Sequence, residues 1–313
     1  MLGGLTDRGE GATAGYAHPE YARALAEYGT PRELPRCGGW ILERPIPGVP
    51  FKDAMACYPL FACRDWSGLQ ADLDDIGRDL VSIALVTDPF GDYDENRLHE
   101  WFPDRVLRFK EHYALDLHGP IEATTRKRAR TYAHAALREL RVEVCPHPID
   151  VLDEWTQLYG CLADRHHLEG IHTFSRGSFA AQMNVPGFVM FRARYRGDTV
   201  GMQSWYVQGQ TAYLHLVGMS PVGYKLRASY AMCWSSIQHF RDRLHWLDFG
   251  GAPGIEGNGD TGLARFKRGW SSGTRPAYFC GRILNHEAYA AITRLKNISD
   301  ISYFPVYRAG EFK

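Results

Sequence analysis

The stretch FVMFRARYR (188–196), GD (197–198), TVGMQSWYVQ (199–208), G (209) and TAYLHLV (211–217) decides the fold. Its three runs are rich in β-branched and aromatic residues and are separated by tight glycine turns, so they read as consecutive antiparallel strands. A loop, Gly218 to Tyr224, then leads into a helix whose apolar stripe is Leu226, Tyr230, Cys233, Trp234, Ile237 and Phe240. Trp246 to Phe249 adds one more short strand. A strand, a helix and a further strand at the end of a meander make a βαβ crossover.

The same order recurs more weakly upstream. Trp40 to Leu42 and Ala54 to Ala62 read as strands, and Ser67 or Gly68 opens a helix carrying Leu69, Leu73 and Ile76. Leu80 to Val86 is the unbroken apolar run of a strand covered on both faces, stopped by Asp88-Pro89. An internal duplication of an α/β (α+β) unit is the expectation, although its period is far longer than that of solenoid repeats. Between the two units, Thr125 to Leu140 carries the stripe Ala129, Tyr132, Ala133, Ala136, Leu137 and Leu140 and reads as a helix. A second helix follows Asp150 with Val151, Leu152, Trp155, Leu158, Tyr159 and Leu162 on one side. Glycine and proline punctuate residues 1–35, which are expected to form a flexible arm with order beginning near Gly39. The expected division is therefore 1–35, 36–124 and 125–313.

The chain has 313 residues with 36 Lys+Arg and 36 Asp+Glu, so strong long-range attraction to nucleic acid or an anionic membrane is not expected, though a local basic patch is allowed. With 45% hydrophobic and 23% charged residues the chain can build a sizeable core. No apolar run approaches the roughly 18 residues of a membrane span, and Met1 to Glu20 lacks the apolar segment of a secretory signal. Seven cysteines, none in a Cys-x-x-Cys pair, suit a reduced cytoplasm. Cys57 and Cys63 read as small apolar core residues.

Two cofactor motifs suggest themselves and fail on context. Leu247 to Gly254 resembles an S-adenosylmethionine loop, but only 59 residues follow Gly254, too few for the doubly wound domain such a loop opens. Gly257 to Gly262 fits G-x-G-x-x-G, yet a glycine-rich loop rather than a strand precedes it. What remains is a loop with glycines at 250, 251, 254, 257 and 259, permissive for close backbone approach, followed directly by Arg265-Phe266-Lys267-Arg268-Gly269-Trp270. An aromatic ring and cations there would suit an acyl carbonyl that develops negative charge; the plain alternative is a flexible surface loop.

The Gly218–Tyr224 loop, with Lys225 and Arg227 behind it, is a second place for a phosphate or anion, or simply a solvated basic turn. His166, His167 and His172 lack a carboxylate pattern or an H-E-x-x-H frame and read as a surface cluster at a helix end, so no metal is expected. Asp248 is read as a cap for the glycine loop rather than a base. The run Arg126-Lys127-Arg128-Ala129-Arg130 is a solvated helix face that would also meet RNA phosphates, with Arg126, Lys127 and Arg130 as the contacts.

Taken in order, Ala212-Tyr213-Leu214-His215-Leu216, the Gly-Tyr of the next loop, Leu247-Asp248-Phe249-Gly250-Gly251 and Gly262 through Trp270 resemble the Fem-type branch of the GNAT acyltransferase superfamily. Thr125 through Ala136 and Leu140-Arg141-Val142 resemble that family's inter-domain helix and first strand. The resemblance spans roughly Trp40 to Ile283 and is best at the Phe-Lys end. It implies two GNAT-like domains, the first (36–124) degenerate and the second (125–313) catalytic, with a cleft between or within them. It implies transfer of an activated acyl group, aminoacyl from a charged tRNA or acyl from acyl-CoA, onto an amine of a peptide or small molecule, with no tightly bound cofactor. By the same resemblance Lys267 stabilises the oxyanion beside Phe266. Gly223, Tyr224, Lys225, Arg227 and Arg265 lie at the donor, and Trp205, Tyr213, His215, Gly250 and Gly251 at the acceptor. Two departures stand out. Tyr58-Pro59-Leu60-Phe61-Ala62-Cys63 lacks the acid that bridge-forming members carry after a Gly-Pro, and there is no long heptad arm. A ligand-binding relative without turnover is the rival from another class, and a methyltransferase a distant third.

Overall fold

The computed structural model describes residues 13–166, 173–252, 261–296 and 303–311. The chain opens with a 3-10 turn at Gly15–Ala17 and α1 (Pro19–Ala24). A first meander, β1 (Thr30–Leu34), β2 (Gly39–Pro45) and β3 (Lys52–Ala56), is followed by α2 (Leu69–Ile76) and β4 (Ser82–Val86). Then come α3 (Glu95–Trp101), the long β5 (Arg105–Asp116), α4 (Ile121–Thr124), α5 (Lys127–Ala136) and β6 (Arg141–Val144). Helices α6 (Leu152–His166) and α7 (Arg176–Met183) precede the second meander, β7 (Phe188–Tyr195), β8 (Asp198–Gln208) and β9 (Thr211–Met219). The chain closes with α8 (Pro221–Lys225), α9 (Ala228–Phe240), β10 (Trp246–Asp248), α10 (Gly262–Arg268), β11 (Gly273–Ile283) and α11 (His286–Leu295). No helix among the described residues is long and apolar enough to cross a membrane.

All eleven strands join one sheet in the order β1-β2-β3-β4-β11-β5-β10-β9-β8-β7-β6. The expected duplication is visible in it. Antiparallel β1–β3 and then β4, parallel to β3, mirror antiparallel β7–β9 and then β10, parallel to β9. The two halves also exchange a strand. β5, which follows the first crossover, pairs with β10 of the second, while β11, which follows the second, pairs with β4 of the first. β5 and β11 pair with each other at the centre of the sheet.

Several expectations are corrected here. Residues 13–35 are not a loose arm: Tyr16, Tyr21, Leu25 and Leu34 are buried, and the first two belong to a core cluster with Tyr206 and Tyr213. The strand expected over 54–62 ends at Ala56, and Phe61 makes only an isolated bridge to Thr87. The helix expected from Leu226 is broken at Arg227, whose φ of 57° is left-handed. β11, expected with a second domain at 125–313, lies in register with β4, and Arg308 from the C-terminal segment pairs with Asp53 on β3.

Two core clusters sandwich the centre of the sheet on the second half. One holds the N-terminal tyrosines with α6 and α7; the other holds Ala129 and Ala133 of α5, Cys233, Ile237 and Phe240 of α9, and Ala264 of α10. The stripes on α5 and α6 expected from helical spacing are thus the faces that bury.

Candidate active site

β10 pairs with β9 only at Trp246–Thr211, Leu247–Ala212 and Asp248–Tyr213, whereas β9 runs on to Met219. Beyond Asp248 the chain follows β5 instead. The Phe249 N–H donates to the Tyr113 carbonyl at 2.9 Å, and the Tyr113 N–H to the Gly250 carbonyl at 3.3 Å. The two parallel strands therefore part after Tyr213, and in the described residues the edge of β9 from Leu214 onward faces no strand on that side. Unpaired strand edges hold backbone donors and acceptors that an extended ligand can use.

Lys267 lies beside the loop that follows β10. Thr261 caps α10 by accepting from the Ala264 N–H at 3.1 Å, which anchors the helix as it leaves the glycine loop. Lys267 on its last turn reaches back, and its Nζ donates to the Gly251 carbonyl at 2.6 Å. Burial lowers the Lys267 pKa to about 8; Lys110 adds to the shift by repulsion, and Asp248 opposes it. Gly250 has φ +73°, and a Cβ there would stand 3.3 Å from the Lys267 Nζ, so glycine both permits the turn and leaves the ammonium approachable. Gly251 lies against the aliphatic stem of Lys110. Phe266 stacks edge-on to Tyr230 with centroids 4.9 Å apart and packs against the core under α5 and α9.

Asp248 caps the glycine loop as expected, its Oδ1 accepting from the Gly250 N–H at 2.7 Å; its Oδ2 lies 2.7 Å from His112 Nδ1. Sequence reading missed this partner, because His112 arrives on β5 from the other half. It also missed Asp88. That carboxylate is buried, accepts from Tyr213 OH and the Phe90 N–H at 2.9 Å, and is pushed up to about 6 by burial, with the Asp248 charge adding to the shift. The Asp88-Pro89 that ended an apolar run was the only signal available for it.

The residues assigned to the acceptor divide. Gly250 and Gly251 lie at Lys267, but Tyr213 and His215 are covered by the N-terminal segment. Tyr16 OH lies 3.2 Å from His215 Nδ1, and Gln182 Oε1 lies 3.0 Å from His215 Nε2. Burial lowers the His215 pKa to about 3, so the ring is neutral near pH 7 and this network makes Nε2 the protonated nitrogen. Trp205 is not at a surface at all. It is fully buried between Phe240 and Phe249, each 5.7 Å away.

Of the donor residues, Gly223 holds its place by packing: a Cβ would lie 2.1 Å from the Val200 carbonyl oxygen, and its N–H already donates to Ser220 Oγ at 3.1 Å. It is therefore not an open phosphate cradle. Tyr224, Lys225, Arg227 and Arg265 are exposed, with the Arg227 guanidinium 3.9 Å from the Tyr132 ring centroid. The RNA-contact candidates join this surface. The N-terminus of α5 docks on the end of α10, the Arg126 N–H donating to the Gly269 carbonyl at 2.9 Å, so the exposed Arg126 and Lys127 lie next to the helix end that carries the exposed Arg265 and Arg268. Arg130 is half-buried. His167, His172, Gly254, Gly257 and Gly259 lie outside the described residues, and His166 ends α6.

Residues 122–268 match the family model described as an acetyltransferase (GNAT) domain. Among solved structures the chain is similar to FemX, at 15% identity over 88% of this chain and 93% of that one, with a TM-score of 0.66. The fold is that of the Fem-like GNAT proteins. The C-terminal domain of a candidate lysylphosphatidylglycerol synthetase from Agrobacterium fabrum is similar at 18% identity, over 88% of this chain and 90% of that one, with a TM-score of 0.61. L-PGS from Bacillus licheniformis is similar at 16% identity, over 90% and 98%, with a TM-score of 0.53. At these identities the likeness is one of fold. No curated protein matches the chain in sequence. The reaction class that the domain match supports is acyl transfer.

Proposed function

We propose that this Fem-like GNAT protein transfers an aminoacyl group from aminoacyl-tRNA to an amine of a peptide or small molecule. The observation that carries this reading is the Lys267 ammonium held against the glycine turn after β10, on a helix whose end docks on the basic start of α5. Attack of the amine on the ester carbonyl forms a C–N bond and puts negative charge on the carbonyl oxygen. Lys267 answers that charge while positioning does the rest, with no covalent enzyme intermediate. The C–O bond to the ribose then breaks, and the amine proton ends on the departing hydroxyl. The basic residues there supply phosphate contacts for the acceptor stem, which position the donor without reading its sequence.

With the cation as the active form, transfer is steady below pH 8 and falls about tenfold per pH unit above it. A rate–pH profile at saturating donor, divided by that of Lys267→Met to remove the acceptor amine's own ionisation, checks this; a ratio that rises through pH 9 makes Lys267 a base instead. Replacing Arg126, Lys127 and Arg268 by alanine should weaken tRNA binding for all sequences alike and flatten the log K against log salt slope by about two to three. Filter binding across a salt series measures it.

Acyl-CoA is the second reading, favoured by the acetyltransferase description of the matching domain. Labelled aminoacyl-tRNA and labelled acetyl-CoA, each offered with a panel of peptide and small-molecule amines, decide between them. RNase-sensitive product supports the first donor and thiol release the second. Donor binding without product from either supports the non-catalytic rival.

A further inference from the structure

Asp116 at the end of β5, His118 two residues on and His245 just before β10 form the one group of potential metal ligands found among the described residues, with their ligand atoms all within 4.8 Å of one another. The backbone holds them there. The Leu117 N–H donates to the His245 carbonyl at 2.8 Å, the His245 N–H to the Gln210 carbonyl at 3.0 Å, and Trp246 pairs with Asp116 across the ladder. His245 Nε2 lies 3.3 Å from Asp116 Oδ1. That equals the edge of a tetrahedron whose metal–ligand bonds are about 2.0–2.1 Å, which is roughly 3.3 Å. The His118 N–H also donates to Asp116 Oδ1 at 2.9 Å, the kind of outer contact that orients a ligating carboxylate. The two imidazoles stack, with centroids 4.2 Å apart and planes 14° off parallel, so the exposed His118 ring has to turn out of the stack before both lone pairs meet at one ion.

We propose that Asp116, His118 and His245 bind one divalent transition-metal ion of the zinc class. Two imidazoles and a carboxylate are the donors that such ions take, whereas calcium and magnesium prefer all-oxygen sets. Three protein ligands leave a fourth position open. Asp116 also lines a cavity of about 440 Å³ with Ala114, Trp246, Ser272, Thr274 and Arg275, which leaves space for water beside the carboxylate. The site is separate from Lys267. Asp116 lies four residues along β5 from His112, the partner of Asp248, or about 13 Å at the usual strand rise. A bound ion would tie β5 to β10 at the base of the strand pair whose far end carries Asp248.

The test uses untagged full-length protein, stripped with chelator and titrated with Co2+, whose visible absorption reports ligand geometry, followed by displacement with Zn2+. The expected result is one Co2+ per chain, a saturable band that Zn2+ abolishes, and a higher unfolding midpoint in Zn2+. His118→Gln and His245→Gln should each weaken Co2+ binding at least tenfold and remove the Zn2+ effect on unfolding. His118 is exposed, so its replacement leaves the fold intact. Absence of a saturable band overturns the proposal. So does a band unchanged in both variants, or a stoichiometry of one ion per two chains, which would mean bridging by surface histidines.

Discussion

Lys267→Met will lower acyl transfer by about 10²–10³-fold in kcat, the loss seen when one preorganised donor to an oxyanion is removed. Methionine keeps the length and apolar stem of lysine and deletes only the charge, so the loss reports the ammonium rather than a cavity. The fold should survive, because burial already disfavours the charged form of this lysine. Below its folded pKa of about 8 the native state holds that charge at a cost; between about 8 and 10.5 the native state binds fewer protons than the unfolded chain, and stability rises with pH. Lys267→Met should remove that contribution. Single-turnover transfer and urea unfolding at two pH values, run on the same preparation, read both effects. Transfer at the wild-type rate by a folded Lys267→Met protein would take Lys267 out of the mechanism.

Asp53→Asn should cost about 3–5 kcal/mol of stability, the penalty for leaving buried charge without its partner. Asp53 is fully buried on β3 and accepts two hydrogen bonds from Arg308, from Nε at 2.7 Å and Nη2 at 2.8 Å, while Arg44 lies 3.7 Å away. Losing the carboxylate charge leaves two buried guanidinium groups with Glu311 as their remaining acidic partner among the ion pairs found. A urea midpoint shifted at constant slope is the expected reading. An unchanged midpoint would mean that the C-terminal segment contributes little to holding the first half.

Much of the site was legible. The glycine loop followed by Arg265 to Trp270 singled out Lys267, while the capped helix that carries it came only with the structure. Tyr213 and His215 were singled out on a strand that the structure does contain, β9. The family resemblance placed them at an acceptor, and nothing local said that Tyr16, about two hundred residues away, covers them. Gly-rich and Pro-punctuated sequence led residues 13–35 to be read as loose, yet Tyr16 and Tyr21 bury completely because a tyrosine cluster elsewhere offers them a partner surface. β5 and β11 escaped notice for related reasons. RVLRFKEHYALD carries charges at both phases of its alternation, and β11 contains Pro276, which ordinarily argues against a central strand. A bulge follows Pro276 directly, between Ala277 and Tyr278.

By itself the sequence determined one meander with its crossover and a weaker strand–helix–strand copy upstream, since periodicity, glycine turns and helical stripes are local properties that each segment carries within its own dozen residues. Only the tertiary structure decided that β5 and β11 trade places and bring His112 to Asp248. Strand exchange is settled by which distant edges pair, and backbone hydrogen bonds across an edge leave no periodic mark on the residues that make them.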